Sequence, residues 1–97
     1  MNQAQMMRLR KMQKEMMEAQ ERLEQTIFTG TAGGGVVKVE VKGSHEVVSV
    51  TIDEEAAKDD IEMVQDMIVL AINDANKKIE AETQKSLGGF GAGMGLF

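Results

Sequence analysis

The chain has 97 residues and a formal net charge of −5, from 11 Lys or Arg against 16 Asp or Glu. Taken whole, this acidic balance argues against a polyanionic partner. There is no cysteine and a single histidine, His45. These counts exclude disulfide frameworks, thiol nucleophiles, cysteine-type zinc sites and multi-histidine metal centres. We therefore expect a protein that is not an enzyme and has no catalytic residue, metal or cofactor.

The small size of the chain limits its core. A chain of this length buries only roughly 60–65% of its unfolded surface, and three Phe with no Trp or Tyr add little bulk. Oligomerisation would bury further apolar surface, so we expect more than one copy of the chain to assemble. No apolar run approaches the roughly 18 residues of a membrane span, and the N-terminus lacks the apolar core of a secretory signal. We expect a cytoplasmic protein without membrane contact.

The first 26 residues contain neither Gly nor Pro and are rich in Met, Gln, Glu, Lys and Arg, which predicts one long helix. Its apolar residues recur at heptad spacing and predict a seam for a partner helix. This seam consists of Leu9, Met12, Met16 and Leu23, with Ala19 between them and Met6 at its start. A helix of this length runs roughly 35–38 Å, so part of it should project from the body or pair with another chain.

Five of the nine methionines lie in this helix, where flexible thioethers suit an adaptable helix–helix contact. Core packing is the simplest interpretation. Met7 and Met17 fall outside the seam, however, so an adaptable peptide-binding groove is the alternative.

Three antiparallel strands follow. Residues 26–29 are β-branched or aromatic, and residues 36–42 and 47–52 alternate apolar with polar side chains, as half-buried strands do. The Gly-rich stretch 30–35 and residues 43–46 supply the connecting turns. A phosphate-binding loop would lead into a helix, whereas the Gly-rich stretch leads into a strand. His45 is interpreted as a surface turn residue.

A second helix is predicted from near Asp60 to about Ser86. Asp59 and Glu62 resemble a capping box at its start, and the neighbouring carboxylates are better explained by the helix N-terminus than by a cation site. Its apolar residues follow three- and four-residue spacing and predict a stripe that packs on the sheet. This stripe contains Ile61, Val64, Ile68, Ala71 or Ile72, Ala75 and Ile79. The fold class is thus α+β, with the order α-β-β-β-α.

After the second helix, glycine alternates with apolar residues and lowers helix propensity. We expect one domain over residues 1–87 and a flexible Gly/Met/Phe tail over residues 88–97.

The charge is unevenly distributed. Residues 1–14 carry a side-chain charge of +4 with no acid, and the remainder carries −9. Arg10, Lys11 and Lys14 fall opposite the apolar seam, with Arg8 beside it. A basic patch at the end of a projecting helix is typical of contact with the DNA backbone, although a solvated helix face is the alternative. The acidic body should be repelled from DNA, so only the helix ends can approach it.

Six short segments occur in a specific order along the chain. They are Thr29-Gly30, Gly35 to Val39, Gly43 to His45, Val50 to Asp53, Asp60 to Asp66 and Ala71 to Ala75. Together they resemble the YbaB/EbfC family of bacterial nucleoid-associated proteins over about residues 5 to 87. The resemblance implies an intertwined homodimer in the nucleoid, whose first helices project like the arms of tweezers and grip double-stranded DNA without catalysis. Effects on nucleoid organisation and gene expression would follow.

The resemblance also implies where DNA is contacted, namely charged residues of the first and last helices. In this chain these are Arg8, Arg10, Lys11, Lys14 and Arg22 on the first, and Lys77, Lys78 and Lys85 on the last. Four glutamates between residues 15 and 24 follow the basic patch, so only the tip is suited to phosphates. The alternative function is a structural or adaptor protein that engages replication or recombination proteins through the Met-rich helix and the apolar tail.

Overall fold

The computed structural model describes residues 2–94, with side chains through residue 88. Its elements are α1 (Gln3–Gln25), β1 (Ile27–Ala32), β2 (Val37–Lys42), β3 (Val47–Ile52), α2 (Glu54–Asp59) and α3 (Ile61–Met94). The three strands form one antiparallel sheet in the order β1-β2-β3. This confirms the predicted α+β class, with one addition, the short helix α2.

Local capping defines the start of α1. The side chain of Asn2 accepts a hydrogen bond from the Gln5 N–H at 2.8 Å, and the Gln5 side chain accepts one from the Asn2 N–H at 3.3 Å, a reciprocal arrangement that satisfies two backbone donors. At the other end, Thr26 adopts an extended backbone and its hydroxyl donates to the Arg22 carbonyl at 2.7 Å. The long helix predicted from composition is therefore present, with a defined beginning and end.

Strand β1 is longer than the sequence predicts. Gly30 and Ala32 pair with Val39 and Val37 of β2, so the predicted six-residue loop shrinks to a turn over Gly33–Gly35. All three glycines of this turn have positive φ, between 63° and 101°, a conformation that glycine adopts without steric cost. The sequence correctly predicts a glycine-rich turn, but residues 30–32, the first half of the predicted loop, belong to β1.

The segment after β3 also differs from prediction. Asp53 caps α2 by accepting from the Ala56 N–H at 3.2 Å, in a stretch for which the sequence predicted no helix. Asp60, not Asp59, caps α3, accepting from the Met63 N–H at 3.0 Å. The predicted capping box at Asp59 is wrong because Asp59 is the last residue of α2.

The C-terminal helix α3 extends beyond its predicted end near Ser86 and continues to Met94. The division into a domain over residues 1–87 and a flexible tail over residues 88–97 stays a prediction, and residues 95–97 lie outside the described part of the chain.

The core lies between α3 and one face of β1 and β2. Three valines of β2 are fully buried against the apolar stripe of α3. The buried residues of this cluster are Val37, Val39, Val41, Val64, Ala71, Ala75 and Ile79. Helix α3 and strand β1 come very close at Gly30, where an added Cβ would overlap the Ala71 carbonyl oxygen and stand 2.7 Å from the Ala75 nitrogen. Helix and strand therefore meet backbone to backbone at this point.

The third strand is left uncovered by α3. Val50 lies directly opposite the fully buried Val39, and directly opposed residues of antiparallel strands face the same side. Yet Val50 is 43% exposed. The apolar inner face of the sheet thus continues past the edge of the helix into solvent.

Candidate nucleic-acid interface

The basic tip, defined here as Arg8, Arg10, Lys11 and Lys14, lies on the first half of α1. Every residue from Asn2 to Lys11 is exposed, whereas Leu23 near the other end of the helix is buried. The molecule is correspondingly elongated, 68 × 21 × 15 Å. The helix is therefore anchored by its C-terminal end and presents its basic end to solvent.

The side chains of the basic tip are accessible. The side chain of Lys11 is 77% exposed, and its Nζ lies 4.0 Å from Glu15 Oε1. This distance is the longest at which the two groups count as an ion pair. The first turn of α1 contains no acidic residue, and the helix N-terminus adds positive potential of its own through the aligned peptide dipoles. This end of the molecule can therefore attract an anionic surface.

The predicted apolar seam of α1 faces the body only in part. Met12, Met16 and Ala19 are half-buried, and Leu23 is buried, whereas Leu9 is exposed. Exposure thus falls along the seam from the tip toward the sheet, which is the pattern of an arm that leaves the body. Pairing of this seam with a second copy stays a prediction.

Arg22 lies far from the tip. It lines an open cavity of about 680 Å³ between α1 and α3, together with Ala19, Leu23, Thr26, Phe28, Glu82 and Ser86. Glu82 brings the opposite charge into the same cavity, so Arg22 lies in a more neutral setting than the tip. Lys85 is exposed and precedes Ser86, one of the residues of α3 that line this cavity.

Lys77 and Lys78 lie on the part of α3 that covers the sheet, and only Lys77 points away from it. The Lys78 ammonium donates to the Thr29 carbonyl at 2.7 Å and lies 3.5 Å from Asp74. Asp74 in turn accepts from the Thr31 N–H at 3.0 Å. These two side chains, called here the edge clasp, occupy backbone groups on the outer side of β1, an edge strand.

The clasp perturbs the titration of Asp74. The hydrogen bond from the Thr31 backbone N–H, assisted by the nearby Lys78 ammonium, holds the pKa of Asp74 below its ordinary value of 3.8, against a smaller opposing effect of desolvation. Both interactions favour the ionised carboxylate. The edge clasp is therefore strongest when the Asp74 carboxyl group is ionised.

We expect Asp74→Asn to lower the free energy of unfolding at neutral pH, with a deficit that shrinks in acid. Because folding lowers the pKa, the carboxylate stabilises the fold above pH 3.8, and this contribution is lost as pH falls through the folded pKa. Urea unfolding of both proteins between neutral pH and pH about 3 measures it. Asp66→Asn, at an exposed position of the same helix, is the control. A deficit that stays constant with pH would contradict the role of the charge.

His45 lies in the turn between β2 and β3, as the sequence predicts. Its backbone has a positive φ of 72°, and its Nδ1 lies 3.0 Å from the side-chain oxygen of Asn76 on α3. The turn is thereby tied to the helix on the β3 side, opposite the edge clasp. Over residues 2–94, no three His, Asp or Glu side chains are arranged to hold a metal ion. No described helix is both long and apolar enough to cross a membrane.

Sequence reasoning missed the close approach at Gly30 and the pairing of Asp74 and Lys78 with β1. A glycine within a β-branched stretch, Thr29-Gly30-Thr31, is a signal for close backbone approach. The four-residue spacing of Asp74 and Lys78 places both on one side of a helix. Neither signal identifies the partner element, which lies more than 40 residues away in the chain.

Comparisons with known proteins identify relatives of the whole chain. A sequence model of the YbaB/EbfC DNA-binding family matches residues 1–94. The chain is 43% identical over 100 residues to a nucleoid-associated protein of Chloroflexus aurantiacus, with all of both chains covered. It is 54% identical over 70 residues to one of Lysinibacillus sphaericus, covering 71% of this chain and 67% of the other. The crystal structure of an uncharacterized protein of Helicobacter pylori superposes with a TM-score of 0.70 at 35% identity, covering 91% of this chain and 94% of the other.

Proposed function

Because the chain belongs to the YbaB/EbfC DNA-binding family, we propose that it binds double-stranded DNA in the nucleoid as a homodimer, through the basic tips of its two α1 helices. The protein holds DNA without catalysis, and its effects on nucleoid organisation and gene expression follow from that binding. The observation that carries the proposal is the basic tip, an exposed cluster of four cations at the end of an arm.

Charge and geometry both favour the basic tip as the main DNA contact. The rest of the chain carries −9 and is repelled by phosphates, whereas a dimer presents the tip twice. If the four cations of each protomer neutralise one phosphate apiece, about eight counterions leave, and the slope of log affinity against log salt approaches roughly −7. Arg22, Lys77 and Lys85 belong to the proposed contact as peripheral residues. Lys78 contributes less because its ammonium is engaged in the edge clasp.

The uncovered inner face of β3 supports the second copy. Val47 and Val50 are exposed there, and Val69 is exposed on the neighbouring flank of α3, the side that Asn76 ties to the β2–β3 turn. Apolar side chains that are exposed together on one face are typical of a surface that contacts another chain.

We expect Val50→Asp to convert the dimer into a folded monomer, because it places a charge on the apolar face that the second copy covers. Light scattering would then give the mass of one chain, 10.6 kDa, while circular dichroism stays unchanged. Thr51→Asp, on the same strand but the opposite face, is the matched control and should remain dimeric. A dimeric mass for Val50→Asp would place the interface elsewhere.

A duplex titration at two salt concentrations, with light scattering for the mass of the complex, tests the proposed function. With about eight phosphate contacts, affinity should fall on the order of 10⁴-fold between about 50 mM and about 200 mM salt. Failure to bind duplex at micromolar protein, whatever the salt concentration, would contradict the proposal.

Such a failure would favour the second candidate, an adaptor that engages replication or recombination proteins through the Met-rich helix and the apolar tail. The observation behind it is the exposure of apolar side chains on α1, where Met17 is 59% exposed outside the predicted seam. Exposed methionines are typical of adaptable protein-binding surfaces.

A further inference from the structure

We propose that Met7 is an oxidation site at which peroxide converts the thioether into a sulfoxide and thereby weakens DNA binding. The effect on DNA rests on the proposed function, whereas the selectivity of oxidation does not.

Met7 lies among the cations of the basic tip. Its side chain is 68% exposed, and Arg10, Lys11 and Lys14 follow it at three, four and seven residues, the spacing of one helix face. Met7 and Arg10 line the same shallow cavity, together with Gln3 and Met6. The thioether of Met7 therefore neighbours a guanidinium on the surface that would face DNA.

Exposure singles out Met7 from the other methionines whose side chains the structure describes. Met12, Met16 and Met67 are half-buried, and Met6, Met17 and Met63 are exposed to a smaller extent than Met7. Because oxidation of methionine follows accessibility, Met7 should react first. Met17 is the useful comparison, since it is nearly as exposed but lies where the helix has become acidic, beside Glu18 and Glu21.

The reaction is a two-electron oxidation of sulfur by hydrogen peroxide. The thioether lone pair attacks one peroxide oxygen, so that the S–O bond forms as the O–O bond breaks. The departing hydroxide takes the proton left on the transferred oxygen and becomes water. The products are one sulfoxide and one water, and the peroxide is the species reduced.

The sulfoxide changes the chemistry of the tip without changing its formal charge. Its oxygen is a strong acceptor with partial negative charge, and the Arg10 guanidinium is the neighbouring donor. A guanidinium that donates to the sulfoxide has fewer N–H groups for phosphate. If each protomer loses its Arg10 contact, the magnitude of the salt slope falls by about 1.8, at about 0.9 for each phosphate.

The experiment treats the protein of 97 residues with hydrogen peroxide. Peptide mass spectrometry follows sulfoxide at each methionine, and duplex affinity is measured over a salt series. We expect Met7 to be oxidised fastest, Kd to rise several-fold and the salt slope to become shallower by about 1.8. Met7→Leu, which keeps the shape but not the sulfur, should bind DNA normally and resist peroxide. Met17→Leu should remain as sensitive as the wild type.

Three results would overturn the inference: Met7 oxidised no faster than Met17, Met7 oxidised with unchanged Kd, or Met7→Leu as sensitive to peroxide as the wild type. Failure of the untreated protein to bind duplex would overturn the proposed function itself. In that event the rates of sulfoxide formation would still show whether Met7 is the most reactive methionine. The proposed effect of Met7 oxidation on DNA binding would be rejected.

Discussion

Replacing all four cations of the basic tip with glutamine is expected to weaken duplex binding strongly while leaving the proposed dimer intact. The variant carries Arg8→Gln, Arg10→Gln, Lys11→Gln and Lys14→Gln. The wild type should show a salt slope of roughly −7, and removal of about eight phosphate contacts should leave only the shallow slope of the peripheral cations. Glutamine preserves helix propensity, and all four side chains are exposed, so charge is the property that changes. Fluorescence titrations across a salt series measure both slopes.

The same helix offers a matched control of opposite charge. Four glutamates follow the tip and can be replaced by glutamine in equal number, at Glu15, Glu18, Glu21 and Glu24. Because they repel phosphates next to the contact, their removal should tighten binding and leave the slope steep. Light scattering checks that both variants stay dimeric. An unchanged slope in the tip variant would show that DNA, if bound, is held by another surface.

Gly30→Ala is expected to destabilise the fold by about 3 kcal/mol or more, at the upper end of overpacking effects. The new methyl group would overlap the Ala71 carbonyl and stand 2.7 Å from the Ala75 nitrogen and 2.9 Å from the Ala75 Cβ. Backbone atoms of a helix cannot rotate aside as a long side chain can, so α3 must lift from β1. In a domain of this size, the loss corresponds to a fall in Tm of at least about 12 °C.

Gly88→Ala is the control for this prediction. Gly88 lies within α3, and a Cβ there would have no neighbouring atom within 4 Å. Alanine is favoured over glycine in a helix by about 1 kcal/mol, so this variant should be slightly stabilised. Thermal unfolding of the two variants under one condition compares them. Equal stability of Gly30→Ala and the wild type would mean that helix and strand do not pack as closely as described.

The parts of the fold that depend on local patterns could be predicted from the sequence. The absence of Gly and Pro predicts α1, and alternating valines predict β2 and β3. The end of β1 could not be predicted in this way, because Gly30 to Ala32 become strand only through pairing with Val37 to Val39. The cap of α3 depends likewise on a neighbour. In the sequence Asp59 is the better candidate, because Glu62 follows it by three residues, but α2 takes up Asp59 as its last residue and leaves the cap to Asp60.

The candidate site likewise contains residues whose setting could be predicted from the sequence and residues whose setting depends on a distant strand. The basic tip is visible in the sequence because its four cations fall within seven residues of one helix with no acid among them. Lys77 and Lys78 are indistinguishable by composition, yet their positions on α3 differ by a rotation of about 100°. That rotation brings Lys78, but not Lys77, to the edge of β1, 49 residues earlier in the chain. A helical wheel predicts this rotation, but it cannot predict which strand lies beside Lys78.

The edge clasp also limits how many copies can assemble. A sheet with two open edges can add strands at both and grow without end, which is the route to fibres. Here Asp74 and Lys78 occupy outward backbone groups of β1, which leaves the β3 side of the sheet for a partner. A two-fold pair that buries the inner face of β3 in both copies uses this face once in each copy and leaves none for a third. The proposed dimer is then self-terminating, and a higher protein concentration should give more dimers without longer assemblies through the sheets.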